Sequence, residues 1–271
     1  MKLADLHLHT NFSDGTFTPE ELVKEAINAG LSTIAITDHD TINGILPAKI
    51  AAGDILEVIP AVEMSAELDS KEFHILGYFV DLDSAVLNVQ LKKMYEVRIE
   101  RVYSILEKLR GLNINMEPEE VFGIAGQGTV SRLHIARALL AKGAVSNIYE
   151  AFARFIGNDG PAYVGKFSVS PLETISLIKE AGGIPVLAHP YTYNRDELIP
   201  SLIKSGLRGI EAYYPEYPKS VVQFYLKVAE KYGLLVTGGS DCHGIGKPDI
   251  KVGCVKMPYE LVERLKQEKY G

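Results

Sequence analysis

The chain opens with an apolar run that carries two histidines at alternate positions. Leu3 to Leu8 is typical of a β-strand, and His7 and His9 lie at its carboxyl end. Because successive side chains of a strand point to opposite faces, the two imidazoles share one face. Asp14 follows within Ser13-Asp14-Gly15, a sequence that favours a turn. Two imidazoles beside a carboxylate form a ligand set that suits divalent zinc, manganese or iron.

The size and net charge of the chain limit the classes of protein to which it can belong. The chain has 271 residues and 46% hydrophobic residues, enough for one large domain or a domain with an insertion. A formal net charge of −7 indicates no electrostatic footprint for duplex DNA. No apolar run approaches the ~20 residues of a membrane span. Two cysteines, Cys242 and Cys254, and no N-terminal targeting stretch predict a cytoplasmic protein. A disulfide between them is possible on length, but nothing supports it.

Short apolar runs alternate with helical patterns over most of the chain. After the first strand, the predicted strands are Leu31–Thr37, Ile55–Val62, Phe73–Phe79, Ile184–Ala188, Arg208–Ala212 and Leu234–Thr237. Helices fall between most of these strands, and this alternation predicts a parallel sheet or a barrel. In such barrels the chemistry lies at the carboxyl ends of the strands.

Residues 83–160 interrupt this alternation. The pattern there predicts a long amphipathic helix over Leu87–Leu109 and shorter helices around Pro118–Phe122, Ser131–Ala141 and Ile148–Ile156. We interpret 83–160 as a helical insertion over the barrel mouth, and 1–82 with 161–271 as the barrel. The alternative is a run of ordinary barrel helices whose strands the pattern does not reveal.

Most of the seven histidines occur where predicted strands end. Those at or just beyond carboxyl ends are His7, His9, His39, His189 and His243, whereas His74 is near the start or middle of its strand. The carboxylates Glu63 and Asp241 also follow strands, and Asp14 lies in the first loop. Because these ends meet at one mouth of a barrel, the set predicts a multinuclear metal site.

These motifs resemble a known family. The stretches His7-Leu-His9, Ser13-Asp14-Gly15, Thr37-Asp38-His39, His74-Ile-Leu-Gly77, Ala188-His189-Pro190 and Ser240-Asp241-Cys-His243 are similar, in the same order, to motifs of the polymerase and histidinol phosphatase (PHP) phosphoesterases. The segment Ser131-Arg132-Leu-His134 further resembles the subgroup that acts on nucleoside 3′,5′-bisphosphates and short RNA. The resemblance implies a distorted seven-stranded (β/α) barrel with a mainly helical insertion.

The resemblance also implies two or three divalent metal ions, with manganese, zinc, iron and magnesium all open. By position, His7, His9, Glu63 and Asp241 would bind one ion. Glu63 would bridge to a second ion, held also by His74 and His189. Asp14, His39 and His243 would bind a third. Some members have His at the position of Asp14, so the identity and occupancy of the third ion are open.

Phosphoester hydrolysis gives such a cluster a clear chemical use. Divalent ions neutralise a phosphate ester and lower the pKa of a bridging water towards ~7, so that hydroxide can attack phosphorus. We assign Glu63, Asp241 and His243 as catalytic. Asp5, Asp38 and Asp40 are candidates for fixing imidazole tautomers, with solvated or capping carboxylates as an equal alternative.

Three residues in and after the insertion are candidates for holding a substrate phosphate. Arg132 and His134 receive this role from the resemblance, and Arg suits bidentate phosphate contacts. Lys166 is the third candidate, although a solvated surface lysine is the more common reading. For Arg98 and Arg101 on the long helix, we expect a solvent-facing position.

The leading hypothesis is a metal-dependent phosphoesterase that hydrolyses a nucleoside 3′,5′-bisphosphate or trims short RNA. The alternatives are a histidinol-phosphate phosphatase and a metal-binding accessory module without catalysis. A zinc amidohydrolase is less favoured, because no lysine lies at a plausible strand end. The expected partner is a small phosphorylated substrate, and we expect no association with a membrane. The sequence leaves the oligomeric state open.

Overall fold

A computed structural model of the chain describes residues 2–69, 71–165 and 169–271. Its strands form one 8-stranded sheet in the order β7-β6-β5-β4-β3-β2-β1-β8. The strands are β1 Leu3–Leu8, β2 Thr33–Ile36, β3 Glu57–Leu68, β4 Lys71–Tyr78, β5 Ile184–Leu187, β6 Gly209–Tyr213, β7 Leu235–Gly238 and β8 Met257–Pro258. The α-helices are α1 Pro19–Asn28, α2 Ile45–Ala52, α3 Ala85–Gly111, α4 Pro118–Ala125, α5 Arg132–Ala141, α6 Ile148–Ala151, α7 Pro171–Glu180, α8 Ile199–Lys204, α9 Lys219–Tyr232 and α10 Tyr259–Tyr270.

The sheet curls into a nearly closed barrel of mixed direction. β1, β2 and β3 run parallel, as do β5, β6 and β7, whereas β4 is antiparallel to both of its neighbours. The predicted distorted barrel is therefore confirmed, and the reversed strand was not predicted. β8, which pairs antiparallel with β1, was also missed. Two residues are too short for a periodic signal.

The barrel closes where the chain leaves β7 and passes beside β1. The Asp241 N–H donates to the His7 carbonyl at 2.8 Å, and the His9 N–H donates to the Cys242 carbonyl at 3.2 Å. Gly239 makes this approach possible, since a Cβ there would lie 2.4 Å from the His7 backbone nitrogen. Gly239 therefore serves close packing of two backbones, a role beyond flexibility before Asp241.

Helices α3 to α6 have an apolar core of their own. Buried residues of this cluster include Val102, Ile105, Leu109, Val121 and Leu139. A π-helical segment, Phe152–Ile156, continues α6 and ends at this core. The separate cluster favours the division into barrel and insertion, which stays a prediction.

A buried arginine fastens the insertion to the barrel. Arg98 of α3 donates from Nε to Asp40 Oδ2 at 2.7 Å and from Nη2 to Ser65 Oγ at 3.0 Å. Arg98 and Arg101 are only 4% and 6% exposed. The expectation that both face solvent was wrong, because the barrel mouth covers this face of α3 with carboxylates.

Two further features concern membrane-spanning helices and the cysteines. In the part of the chain that the structure describes, no helix combines the length and apolar character needed to cross a membrane. Both cysteines are free thiols, with Cys242 buried and Cys254 exposed.

We expect Gly239→Ala to destabilise the fold by about 1–3 kcal/mol, because the added methyl group overlaps the His7 backbone. Urea denaturation measures the change. Gly123→Ala is the matched control, since its Cβ meets nothing within 4 Å in helix α4. An Ala there should be neutral or stabilise the protein by up to about 1 kcal/mol. Equal effects of the two substitutions would contradict the close-packing role.

Arg98→Met should cost about 3–5 kcal/mol in the free energy of unfolding, since it removes the buried guanidinium that faces Asp40. Arg110→Met on the exposed face of the same helix provides the control and should change little. Chemical denaturation of both variants compares them. A loss for Arg98→Met no larger than that for Arg110→Met would show that the ion pair does not anchor the insertion.

Candidate active site

Polar side chains in, or just after, six barrel strands converge at one mouth of the barrel. The sequence-predicted ligands that the structure brings together are His7, His9, Asp14, His39, Glu63, His74, His189, Asp241 and His243. His74 belongs to this set because β4 is antiparallel, so that its early residues lie beside the carboxyl ends of the parallel strands. Glu63 lies within β3, which extends past the predicted end to Leu68.

Glu63 is at the centre of the cluster and is fully buried. Its Oε2 faces one group of nitrogens, with His7 Nε2 at 3.1 Å, His9 Nε2 at 3.2 Å and His39 Nδ1 at 3.2 Å. Its Oε1 faces a second group, with His74 Nδ1 at 2.9 Å and His189 Nε2 at 3.0 Å. Each carboxylate oxygen therefore serves a different set of imidazoles, the geometry required of a bridging ligand.

Electrostatics inside the cluster favour the ionised form of Glu63. Burial alone raises the pKa of a carboxyl group, because a low-dielectric environment disfavours charge. The neighbouring imidazoles of His39, His7 and His74 outweigh burial and hold the pKa of Glu63 well below its usual range. The cluster is thus built to keep this carboxylate negative in the protein interior.

The donor atoms form three groups with the spacing of metal sites. The groups are His7, His9, Glu63 and Asp241; His9, Asp14, His39 and His243; and His39, Glu63 and His74. The first matches the predicted set. The second adds His9 to its predicted set. The third contains His39 where His189 was predicted, although His189 Nε2 is 3.3 Å from His74 Nδ1.

The cluster fits divalent cations. Among the described residues, three buried atoms of the cluster have no partner in hydrogen-bonding geometry, although ionisable groups lie close to them: His9 Nε2, Asp14 Oδ1 and His39 Nδ1. A buried polar atom left without a partner costs about 1–3 kcal/mol, so such atoms call for a ligand. Imidazole nitrogens and carboxylate oxygens together are donors for zinc, manganese and iron.

Neighbouring polar groups orient the candidate ligands. Glu211 on β6 accepts from His7 Nδ1 at 2.9 Å through Oε1, and from the His189 N–H at 2.9 Å through Oε2. His7 Nδ1 therefore carries the proton, and Nε2 is left to face Glu63. Sequence reasoning did not assign Glu211. Its only signal was a carboxylate at the end of a buried strand.

The predicted orienting carboxylates have other contacts. Asp5 accepts from the backbone N–H groups of Ser240 at 2.8 Å and Gly253 at 2.9 Å. Asp38 accepts from Thr10 and from Ser13 Oγ. Asp40 accepts hydrogen bonds from the Arg98 guanidinium and from the Ser65 N–H. These described contacts shape the loops around the cluster, whereas Glu211 contacts an imidazole directly.

Two candidate ligands have a strained backbone where the chain leaves the sheet. His189 has φ 26° and Asp241 has φ 51°, both in the region that non-glycine residues rarely adopt. Such conformations persist where the surroundings hold them, and they gather at functional sites. Asp241 is held on its Oδ2 by Tyr214 Oη at 2.7 Å and Lys247 Nζ at 2.6 Å.

A cavity of about 240 Å³ lies between the cluster and the insertion. Its polar wall includes Asp14, His39, His74 and His243, and the insertion contributes Arg101, Arg132, Leu133, Tyr149 and Phe152. Arg132, predicted to hold phosphate, therefore faces the same space as the ligands. It donates from Nη1 to Asn158 Oδ1 at 2.9 Å, and Nη2 lies 3.2 Å from Glu72 Oε2.

Glu72 connects this arginine wall to the cluster. Its Oε2 also accepts from Arg101 Nη1 at 3.1 Å, and its Oε1 is 3.1 Å from His74 Nε2. Ser131 makes a second connection by donating from Oγ to Asp14 Oδ2 at 2.7 Å. Sequence reasoning missed both roles, because Arg101 and Arg132 are distant from Glu72 along the chain, as Asp14 is from Ser131.

The other two predicted phosphate-holding residues have different positions. His134 is buried at the start of α5, where its Nδ1 accepts from the Ser131 N–H at 3.0 Å. Burial lowers the pKa of His134 to about 4, so the imidazole is neutral. His134 is not one of the described residues that line the cavity. Lys166 lies outside the described residues, and its role stays a prediction.

Comparisons with known proteins define the class. A family model described as the PHP domain matches residues 5–159. A 5′-3′ exoribonuclease of Haemophilus influenzae is 34% identical over 248 residues, covering 89% of this chain and 90% of that protein. The chain therefore belongs to the PHP family and is a phosphoester hydrolase.

Two further relatives extend the comparison. A 3′,5′-nucleoside bisphosphate phosphatase of Chromobacterium violaceum is 30% identical over 266 residues, which are 92% of this chain and 90% of that protein. The crystal structure of a candidate metal-dependent phosphoesterase from Bifidobacterium adolescentis superposes with a TM-score of 0.91 at 32% identity. It covers 99% of this chain and 96% of that one. The structural match spans nearly the whole chain and therefore extends beyond residue 159, where the family model ends.

We expect Glu211→Gln to lower metal affinity about 10–100-fold, because the charge that orients His7 is lost. Competition with a chelator, read out by elemental analysis, measures the affinity. Glu57→Gln is the control, since this carboxylate at the start of β3 contacts Tyr259 and Lys266. Unchanged affinity in Glu211→Gln would contradict the orienting role of Glu211.

Proposed function

We propose that the protein hydrolyses a phosphoester of a nucleotide, either a nucleoside 3′,5′-bisphosphate or the 5′ end of a short RNA. One observation carries this proposal. The buried ligand cluster around Glu63 shares a single cavity with an arginine wall contributed by the insertion. A substrate with a reacting phosphate and a second anionic group has complementary charges on both sides of such a cavity. The relatives named for nucleoside bisphosphate and RNA substrates support this substrate class.

We assign the metal ligands as two or three sites that share Glu63. His7, His9, Glu63 and Asp241 would hold one ion, and Glu63, His74 and His189 would hold a second. Asp14, His39 and His243 would hold a third. When bound, these ions supply charge neutralisation of the phosphoester and an activated water nucleophile.

The residues of the chain have distinct tasks in this mechanism. Glu63 and Asp241 provide fixed negative charge for the ions, and His243, 3.1 Å from Asp14, completes the outer group. Glu211 and Glu72 keep the tautomers of His7 and His74. Arg132 holds a phosphate of the substrate from the opposite wall. Because the cluster is buried, its charges act in a low dielectric and the reaction is partly shielded from bulk water.

The three candidates for holding the substrate would act in different ways. Arg132 has the position that its role requires, and Arg101 lies beside it at the same wall. His134 would act indirectly, by fixing the turn that presents Ser131 and Arg132. Lys166 is proposed from its place in the sequence after Gly165, and it lies outside the described residues.

Two alternative functions lead to different results in one assay. A histidinol-phosphate phosphatase would release phosphate from histidinol phosphate in preference to nucleotides. A non-catalytic accessory module would bind metal and release phosphate from no substrate. The assay compares manganese-loaded protein on adenosine 3′,5′-bisphosphate, on histidinol phosphate and on a 5′-phosphorylated short RNA, beside His9→Ala. Turnover of a nucleotide substrate that is lost in His9→Ala would support the proposal.

Arg132→Ala should raise KM for adenosine 3′,5′-bisphosphate about 10–100-fold, as expected for a charge-assisted hydrogen bond to phosphate. The loss should be much smaller for p-nitrophenyl phosphate, which has no second anionic group. Steady-state kinetics on both substrates measure the difference. Arg154→Ala, at an exposed arginine of the insertion, is the control. Equal losses on the two substrates would exclude Arg132 as the holder of a second phosphate.

A further inference from the structure

Lys247 is a charged residue beside the cluster that the roles above leave unassigned. It follows the short turn Gly244–Gly246 that begins just after the ligand His243. Its Nζ donates to Asp241 Oδ2 at 2.6 Å. The other oxygen of Asp241 faces the imidazoles, with His9 Nε2 at 3.0 Å. Lys247 therefore lies one carboxylate away from the ligand cluster.

Asp241 Oδ2 has a second donor, which makes a useful comparison. Tyr214 Oη donates to the same oxygen at 2.7 Å. If holding Asp241 were the only requirement, the two donors would be equivalent. They differ in surroundings, because Lys247 lines the cavity together with Asp14, His39 and His243, whereas Tyr214 is not among the described residues that line it.

The lysine ammonium also has capacity beyond Asp241. An ammonium group has three N–H donors, and the described hydrogen bond to Asp241 uses one. The side chain is 32% exposed, in contrast to the 6% of Asp241 beneath it. A cation with spare donors at the edge of a cavity is suited to an anion inside the cavity.

We propose that Lys247 contacts the phosphate group that undergoes hydrolysis. This inference rests on the proposed function and adds a specific residue to it. Lys247 stands on the cluster side of the cavity, whereas Arg132 is on the insertion side. The lysine therefore binds the reacting phosphate, and the arginine binds the remote anionic group. Loss of Lys247 therefore weakens the binding of every phosphate ester. Loss of Arg132 weakens the binding only of substrates that have a second anionic group.

The test compares Lys247→Met with Tyr214→Phe in the metal-loaded full-length protein. Each substitution removes one hydrogen bond to the same oxygen of Asp241, but only the first removes a cation from the cavity. Isothermal titration calorimetry with inorganic phosphate measures binding, and elemental analysis measures bound metal. Steady-state kinetics on adenosine 3′,5′-bisphosphate and p-nitrophenyl phosphate give kcat/KM.

We expect Lys247→Met to weaken phosphate binding about 10–100-fold and to lower kcat/KM on both substrates by similar factors. Tyr214→Phe should change phosphate affinity less than about 3-fold, since it removes a donor to Asp241 but no cation from the cavity. Lys247→Arg should recover part of the phosphate affinity, because it restores the charge.

Two results would overturn the inference. Unchanged phosphate affinity in Lys247→Met would exclude the contact. Equal losses of phosphate affinity in Lys247→Met and Tyr214→Phe, with parallel losses of metal, would mean that Lys247 only positions Asp241. A wild-type protein that hydrolyses no phosphoester would overturn the proposed function instead. The calorimetric comparison would still decide whether Lys247 binds phosphate.

Discussion

The fold is arranged around one buried carboxylate. Glu63 has no contact with solvent, and an isolated charge in such a place is among the most costly groups a protein can bury. Five imidazoles within about 3.2 Å of its two oxygens offset this cost. They come from β1 and β4 and from the segments just after β1, β2 and β5. The strands must therefore hold a common register at one mouth of the barrel, and small displacements in any of them would separate the set.

The closure of the barrel and the construction of the site are one structural problem. The chain after β7 has to pass close to β1 so that Asp241 reaches the histidines of the first strand. Gly239 permits the contact with the His7 backbone, and Asp241 adopts an unfavourable φ that two hydrogen bonds to its carboxylate help to maintain. Reversal of β4 solves a related problem, because it delivers His74 from the start of a strand to the mouth where the other strands end.

The insertion is coupled to the cluster through polar side chains. Arg98 joins α3 to Asp40, Ser131 joins the start of α5 to Asp14, and Glu72 lies between His74 and the arginines. The carboxylate of Glu72 thus serves the candidate metal ligands and the substrate-facing wall together. A movement of one wall would displace side chains of the other, because buried ion pairs are stabilising only in good geometry.

The sequence by itself determined the barrel class, the largely helical character of residues 83–160 and the set of residues that converge at the mouth. It could do so because five histidines follow the carboxyl ends of parallel strands, which meet at one mouth of a barrel. His74, on the reversed strand, was included through the family resemblance. Only the tertiary structure decided which residues orient that set. Glu211 and Tyr214 contact residues that are distant along the chain, and Glu72 links its strand neighbour His74 to the distant Arg101 and Arg132. Lys247 reaches Asp241 through a turn whose geometry no periodic pattern encodes. The tertiary structure also decided the burial of Arg98 and Arg101. A charged helix face predicts solvent exposure unless the carboxylates that pair with it are known, and here these are Asp40 and Glu72.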